Sequence, residues 1–280
     1  MLSRLCAAIG TGVERQMVSV AQARRSSNQT AMDHFLQGLE LHHRHGSEDF
    51  MEARAHFEMA LEKDPEFSRA AAALAITYIR QWFWETTRSE LLDIAEQHAR
   101  IAIGMAPHDA WAQTAWGVVA LYKHRHADAE LSFKRAVELA PYDIYVVSRC
   151  ALGKLYDGDF DEAEMLFKRS IELDPLHADR QRGLLGLTYF YVGRYDEAIE
   201  LLEAIEQVVS WEIAWLAACY ASKGDVAGGR KSTQRFRQRF KSSGHGYSVK
   251  TRPFRRVADM QRLYDALRSA DFSDELLGEG

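Results

Sequence analysis

Histidines are the residues of this chain whose type and spacing come nearest to a chemical site. His42, His43 and His45 lie close together, and imidazoles one helical turn apart can share a metal ion. However, His42 and His43 are adjacent, so on a helix their side chains point about 100° apart, and no cysteine or carboxylate stands at a ligand-like spacing. His124 and His126 fall in a predicted turn, where we expect them to be solvated. We therefore predict no metal site and no cofactor.

Other patterns of catalytic chemistry are missing from the sequence. It contains no glycine-rich phosphate loop, no nucleophile elbow and no paired Cys-x-x-Cys motif, so we predict that the chain is not an enzyme. Cys6, Cys150 and Cys219 are odd in number and widely separated, which argues against a disulfide framework and favours the reducing cytoplasm. No apolar run is long enough to cross a bilayer. The net charge of −5 argues against bulk attraction to nucleic acid or to anionic membrane.

A basic segment near the C-terminus is the exception to this acidic balance. Between Arg235 and Arg256 the chain carries 8 arginines and lysines, interleaved with Phe236, Phe240, Tyr247 and Phe254. Such a mixture can bind RNA or phosphate by charge and stacking. The alternative, which we favour, is that the rings pack beneath a last helix while the arginines pair with neighbouring acids.

Four of the five prolines mark an internal repeat. They are Pro65, Pro107, Pro141 and Pro175, and they stand 42, 34 and 34 residues apart. Each follows the same ladder of small and aromatic residues, which in the third unit is Ala129, Phe133 and Ala136. Proline cannot continue a helix, and small residues let two helices approach closely. A unit built in this way predicts one helical hairpin per repeat.

Glycines recur at two further points of the same unit. Gly38, Gly117 and Gly186 stand where the first helix would pack most closely, and Gly158, Gly193 and Gly224 stand in the turn. The spacing of 42 residues is one unit plus an 8-residue insertion around Gln81 to Ser89. We predict that this insertion is a loop, although it holds Trp82, Phe83 and Trp84.

A 34-residue unit with these marks resembles the tetratricopeptide repeat. The resemblance implies an all-α fold, a right-handed α-solenoid of about six helical hairpins over residues 31–241. The last hairpin is expected to be degenerate, because Gly228 and Gly229 weaken its second helix. Residues 1–30 are expected to form an N-terminal helix, and residues 242–280 a basic segment followed by a capping helix at about Val257 to Ser269.

A narrower resemblance concerns the run from Ala23 to Ala75 and the ending from Pro253 to Phe272. Both look like the C-terminal repeat region of bacterial multidomain regulators, in which it follows a nucleotidyl cyclase domain or a winged-helix DNA-binding domain. Neither domain is found in this sequence. The resemblance implies a signalling role as a regulatory or sensor piece of a cyclase or transcription-control system, which would act through its N-terminal helix. Whether the chain is then a fragment, a split gene product or a free adaptor stays open.

The tetratricopeptide resemblance also implies a concave groove lined by the first helix of each repeat. The second position of these helices holds Trp111, Tyr145 and Trp211, with Arg69 and Arg180 in two other repeats. The twelfth position holds Leu121, Leu155 and Phe190, and the thirteenth holds Tyr122, Tyr156 and Tyr191. A ladder of tyrosines offers rigid apolar area and hydroxyl groups, as recognition sites do. The alternative is that several of these rings pack between neighbouring helices.

The groove residues also restrict the class of partner that we expect. Members of the family that bind chaperones hold a C-terminal carboxylate with lysine and asparagine, where this chain has Trp111, Thr114 and Val118. We therefore do not expect a chaperone tail as the ligand. We predict a non-enzymatic cytoplasmic scaffold that binds an apolar or aromatic peptide or domain. One acidic residue of that partner would meet one of the arginines Arg69, Arg80 or Arg180.

Overall fold

The computed structural model of the chain describes residues 30–43, 47–84, 88–175, 178–205, 210–243, 249 and 251–277. Within these residues every regular element is an α-helix, which confirms the predicted all-α class. The helices are α1 (Ala31–His43), α2 (Ser47–Lys63), α3 (Ser68–Trp84), α4 (Glu90–Met105), α5 (Ala110–Tyr122), α6 (His126–Leu139), α7 (Ile144–Asp157), α8 (Phe160–Leu173), α9 (Asp179–Tyr191), α10 (Tyr195–Glu203), α11 (Ser210–Lys223), α12 (Val226–Ser243) and α13 (Val257–Ser269). Apart from residue 30, the predicted N-terminal segment 1–30 lies outside the described residues.

The helices pack as a series of hairpins within two compact units, whose boundary in the chain falls between Cys150 and Ala151. In the first unit, consecutive helices pack on each other from α1 to α6, and the first helices α1, α3 and α5 also contact one another in turn. In the second unit, consecutive helices from α8 to α12 do the same, and α13 packs on α11. Packing of each hairpin on its sequence neighbours is the arrangement of a helical-repeat solenoid. The helix predicted at about Val257 to Ser269 is present with those bounds.

The repeat prolines stand just beyond helix ends, as predicted. The helices α2, α4, α6 and α8 end at Lys63, Met105, Leu139 and Leu173, each two residues before a proline. The residue between still donates its backbone N–H to the carbonyl four positions back, as in Ala140 N to Ala136 O at 2.9 Å. Proline has no N–H for the next such bond, so the helix ends there.

The glycines of the first helices sit where a side chain would collide with the second helix. A Cβ on Gly38 would lie 2.6 Å from the ring of Phe57, and one on Gly117 would lie 2.8 Å from the ring of Phe133. Gly186 has an equally close leucine neighbour. The predicted close approach of the two helices is therefore confirmed in these hairpins.

The turn glycines adopt a backbone conformation that other residues avoid. Gly158, Gly193 and Gly224 have φ angles of 82°, 81° and 88°, in the left-handed region. Glycine enters this region without steric cost, which suits it to the end of a helix. The assignment of these three residues to the hairpin turns is confirmed.

The prediction of an aromatic loop at Gln81 to Ser89 is wrong for its first half, because α3 continues to Trp84. The rings of Trp82 and Phe83 pack with that of Tyr122, at centroid distances of 6.1 and 4.9 Å. Burial against this tyrosine stabilises an extra turn of helix, so the insertion lengthens α3. Residues 85–87 of the predicted loop lie outside the described part.

Gly228 and Gly229 are predicted to weaken the second helix of the last repeat. Both lie inside α12, an unbroken helix of 18 residues. A Cβ on Gly228 would lie 2.6 Å from the ring of Tyr220 on α11. The glycine therefore allows close packing between the two helices, and its weakening effect on the helix stays a prediction.

We predict opposite effects of alanine at two helical glycines of the first unit. Gly117→Ala should lower the free energy of unfolding by about 1–3 kcal/mol, because the new methyl group overlaps the Phe133 ring. Gly104→Ala is the matched control, since a Cβ there meets no atom within 4 Å, and it should raise the free energy by up to about 1 kcal/mol. Urea denaturation measures both values. Equal stabilisation by the two substitutions would contradict the close packing at Gly117.

Candidate functional site

The tyrosines predicted to line the groove are buried. Tyr122, Tyr156 and Tyr191 expose 7, 2 and 3% of their surface. The residues before them, Leu121, Leu155 and Phe190, are buried as well. This burial favours the alternative in which the rings pack within the protein, and it corrects the expectation that they offer free area to a ligand.

In the second unit the chain itself covers the tyrosines, through residues 252–262, here called the covering segment. The ring of Phe254 meets Tyr156 edge-on at 4.9 Å and Tyr191 at 5.7 Å. Tyr191 also stacks on Phe160 and donates its hydroxyl to the backbone carbonyl of Asp259 at 3.2 Å. Contacts to an aromatic side chain of the chain's own C-terminal part therefore bury this pair of rings.

Arginines of the covering segment bind carbonyls at the ends of α7 and α9. The Arg256 Nη2 donates to Gly158 O at 2.8 Å, and Arg262 donates to Tyr191 O at 2.6 Å and to Phe190 O at 3.1 Å. The last carbonyls of a helix have no partner inside the helix, and Arg262 satisfies that of Tyr191 at the end of α9.

These contacts agree with the favoured alternative for the basic segment, in which its rings pack beneath a last helix. Phe236 and Phe254 are buried, so they are not available to stack on bases. The ion pair of Arg256 with Asp259, at 2.6 Å, follows the expected pairing with a neighbouring acid. The side chains of Phe240 and Tyr247 lie outside the described part.

Removal of the covering ring should destabilise the second unit. Phe254→Ala should lower the free energy of unfolding by about 3–5 kcal/mol, because it leaves a cavity against Tyr156 and Tyr191. Val257→Ala, at an exposed residue of the next helix, should change it by less than about 0.5 kcal/mol. Denaturation followed by circular dichroism distinguishes the two. A loss below about 1 kcal/mol for Phe254→Ala would show that the segment does not pack there.

In the first unit, two aromatic rings stack and remain half-buried. The rings of Trp111 and Tyr145 lie 4.6 Å apart, with an angle of 18° between their planes, and we call this pair the ring platform. Phe35 from α1 meets the indole edge-on at 6.2 Å and also contacts Phe67 at 5.0 Å. The helix α3, which lies between them in the sequence, carries the four alanines Ala70–Ala73 near its start.

Two aspartates hold the ring platform in place. Asp109 caps α5 and accepts hydrogen bonds from the backbone N–H groups of Trp111 and Ala112, at 2.9 and 3.1 Å. Asp143 accepts from the N–H of Val146 at 3.1 Å and, through its other oxygen, from the indole Nε1 of Trp111 at 3.0 Å. Caps of adjacent helices thus fix both ring-bearing turns and orient the indole toward Tyr145.

Sequence reasoning missed both aspartates, although a signal for them exists. Asp109 and Asp143 stand two residues after Pro107 and Pro141, at the same phase of the repeat. An acidic residue just before a predicted helix is a recognised capping pattern. The repeat could therefore have predicted these caps, but not the bond from Asp143 to the indole.

The three predicted groove arginines have different surroundings. Arg69 lies at the edge of the ring platform, where its Nε donates to Asp109 at 3.1 Å. Arg80 is buried, donates to the carbonyl of His42 and packs over the Phe50 ring at 4.1 Å. Arg180 is half-buried in α9 of the second unit, and Trp211 is half-buried at the start of α11. Of the predicted residues, the structure thus gathers Trp111, Tyr145 and Arg69 at one place.

One residue of this place was not predicted, namely Arg149, which lies one turn after Tyr145 in α7. Only 8% of its surface is exposed, and its Cζ lies 5.0 Å from the centre of the Tyr145 ring. Its buried Nε has no hydrogen-bond partner in the described residues. The repeat pattern does not point to this arginine, because what sets it apart is its burial.

Two other cations of the first unit share a carboxylate. Lys123 and Arg125, at the turn after α5, both bind Glu96. The hydrogen bond from Lys123, with the nearby charge of Arg125, holds the pKa of Glu96 at about 2. The buried Nε of Arg149, which has no such partner among the described residues, differs from this ordinary arrangement.

No metal site is visible in the part of the chain that the structure describes, where no three histidine, cysteine or acidic side chains converge on one point. His42 is buried, and its Nδ1 lies 3.2 Å from the hydroxyl of Thr77. The side chain of His43 and all of His45 lie outside the described residues. Among the described helices, none combines the length and the hydrophobicity that a membrane span requires.

A family model matches part of the second unit. The model of the tetratricopeptide repeat matches residues 151–207. This part of the chain is therefore similar to the tetratricopeptide repeat. Helical hairpins also precede and follow that segment in the chain. No curated protein matches the chain.

Several solved structures have a similar fold. The pilus biogenesis factor PilW is 18% identical with a TM-score of 0.55, over 76% of this chain and 95% of that one. The protein TTC0263 of Thermus thermophilus is 18% identical with a TM-score of 0.53, over 69% and 99%. Human IFIT1, in a dimer with PPP-AAAA, is 19% identical with a TM-score of 0.64, over 74% of this chain and 50% of that one. At these identities the likeness concerns the fold alone.

Proposed function

We propose that this protein is a non-enzymatic interaction scaffold that binds an extended segment of a partner protein at the ring platform of its first unit. Its tetratricopeptide-repeat fold suggests a role in protein interaction. We place the binding site at the ring platform because the stacked rings of Trp111 and Tyr145 are only half-buried, whereas the tyrosines at the thirteenth position are buried.

The ring platform has the physical properties of a recognition site. Large rings supply apolar area, and each has only two rotatable side-chain bonds, so little entropy is lost when a ligand orders them. Here the bond from the Trp111 indole to Asp143 fixes one ring in advance, and stacking fixes the other. A ligand that packs on the exposed edges of both rings therefore gains apolar burial at a low ordering cost.

The second unit supplies an internal example of the contact that we propose. There the covering segment lays Phe254 against two tyrosines, while its arginines bind helix-end carbonyls. A partner segment with an aromatic side chain would make equivalent ring contacts on Trp111 and Tyr145. This supports a peptide with aromatic character as the ligand of the first unit.

The other predicted function, control of a cyclase or winged-helix domain, depends on the N-terminal helix. That helix falls on residues 1–29, which lie outside the described part, so this function stays a prediction. The same holds for the predicted cytoplasmic location and signalling role.

Selection of peptides from a phage-displayed random library on the whole protein tests the proposed site. We expect the selected peptides to be rich in aromatic residues. They should lose at least tenfold in affinity for a variant that combines Trp111→Leu with Tyr145→Leu, which keeps apolar volume but removes both rings. The control is Tyr142→Leu, at an exposed ring in the preceding turn, and it should bind as the unchanged protein does. Equal binding by the double variant, with an unchanged melting temperature, would refute the site.

A further inference from the structure

Two arginines are buried in the described residues, and their surroundings differ. Arg80 and Arg149 each expose 8% of their surface. Arg80 donates to the carbonyl of His42, so part of its charge is compensated inside the protein. The buried Nε of Arg149 has no hydrogen-bond partner among the described residues, and its guanidinium lies over the face of the Tyr145 ring.

A buried cation without an acceptor is unfavourable. For Arg149 this applies to the Nε–H, which is removed from water and has no carboxylate or carbonyl group as acceptor among the described residues. A ring face at 5.0 Å offsets only a small part of this desolvation penalty. Arg149 therefore has donors available for an anion that the described chain does not provide.

The aspartates of the platform do not serve as that anion. Asp109 accepts from two backbone N–H groups and from Arg69, and Asp143 accepts from Val146 and from the Trp111 indole. Both carboxylates are thus occupied by bonds that hold the platform together.

The arginine and the two rings form one layered arrangement. Trp111 covers one face of the Tyr145 ring, which leaves the other face for the guanidinium of Arg149. A ligand on the half-exposed edges of the rings would lie next to unsatisfied guanidinium donors. An aromatic group and an anion would then be recognised side by side.

We propose that Arg149 binds a carboxylate of the partner segment, so that the ring platform selects peptides with an acidic residue next to an aromatic one. This rests on the proposed function and adds the charge of the ligand to it. A carboxylate is planar and singly charged, and it matches the guanidinium fork. A phosphate, with nearly two charges, would be repelled more strongly by Asp109 and Asp143. The acidic residue predicted for the partner is thus assigned to Arg149, rather than to Arg69, Arg80 or Arg180.

A pair of synthetic peptides tests this assignment on the whole protein. One is the acetylated and amidated sequence Gly-Ser-Phe-Glu-Phe-Ser-Gly, and the other has glutamine in place of glutamate. Isothermal titration should show at least tenfold tighter binding of the glutamate peptide. With Arg149→Met the two peptides should bind equally. Arg135→Met, at an exposed arginine of α6, is the control and should keep the tenfold preference.

A stability measurement separates this binding role from a structural one. Without ligand, Arg149→Met should raise the melting temperature by a few degrees, because a buried Nε–H without an acceptor is replaced by an apolar side chain of similar length. Arg80→Met should lower it, since it leaves the carbonyl of His42 without its donor. A lower melting temperature for Arg149→Met would assign Arg149 to the packing of the free protein and overturn the proposal.

The peptide results distinguish a failure of the carboxylate site from a failure of the ring platform. Equal affinity of both peptides for the unchanged protein, with a loss on Trp111→Leu and Tyr145→Leu, would overturn the carboxylate site and leave the ring platform standing. Failure of both peptides to bind would overturn the acidic and aromatic ligand class. If library peptides also failed to depend on the two rings, the platform itself would be refuted.

Discussion

The close contact between a glycine of one helix and a large apolar side chain of the next is the constraint on which the structure depends. Where Gly117 lies against Phe133, the helices of a hairpin cannot slide or rotate without a clash or a void. Repetition of this contact at a constant phase sets successive first helices side by side. Residues one repeat apart, such as Trp111 and Tyr145, then come to lie next to each other, and their rings stack.

The two units use their inward rings differently. In the second unit, the covering segment buries Tyr156 and Tyr191, and its arginines complete the ends of two helices. In the first unit, Tyr122 is buried by the lengthened α3, while the rings near the start of α5 and α7 stay half-buried. The inward rings are therefore buried where another segment of the chain packs on them. It leaves an aromatic surface, with an unsatisfied arginine beside it, at the ring platform.

Much of the fold could be predicted from the sequence because it depends on short-range rules. Proline and glycine fix helix ends and turns through backbone geometry, so Pro141 and Gly158 sit where the repeat predicts. The site was harder, since burial depends on contacts between distant residues. The residues at the twelfth and thirteenth positions of the first helices do face other rings. However, no short-range sequence pattern indicates that the segment around Phe254 packs over them. Arg149 was missed for the same reason, because its lack of a partner is visible only in three dimensions.

The central claim is that a ligand meets the chain at Trp111, and ¹⁹F NMR of protein labelled with 5-fluorotryptophan tests it most directly. The Trp111 signal can be assigned from the spectrum of Trp111→Phe. Titration with the glutamate peptide should shift this signal and leave that of Trp215, which is buried in the second unit, unchanged. A titration that shifts other tryptophan signals while that of Trp111 stays fixed would contradict the account.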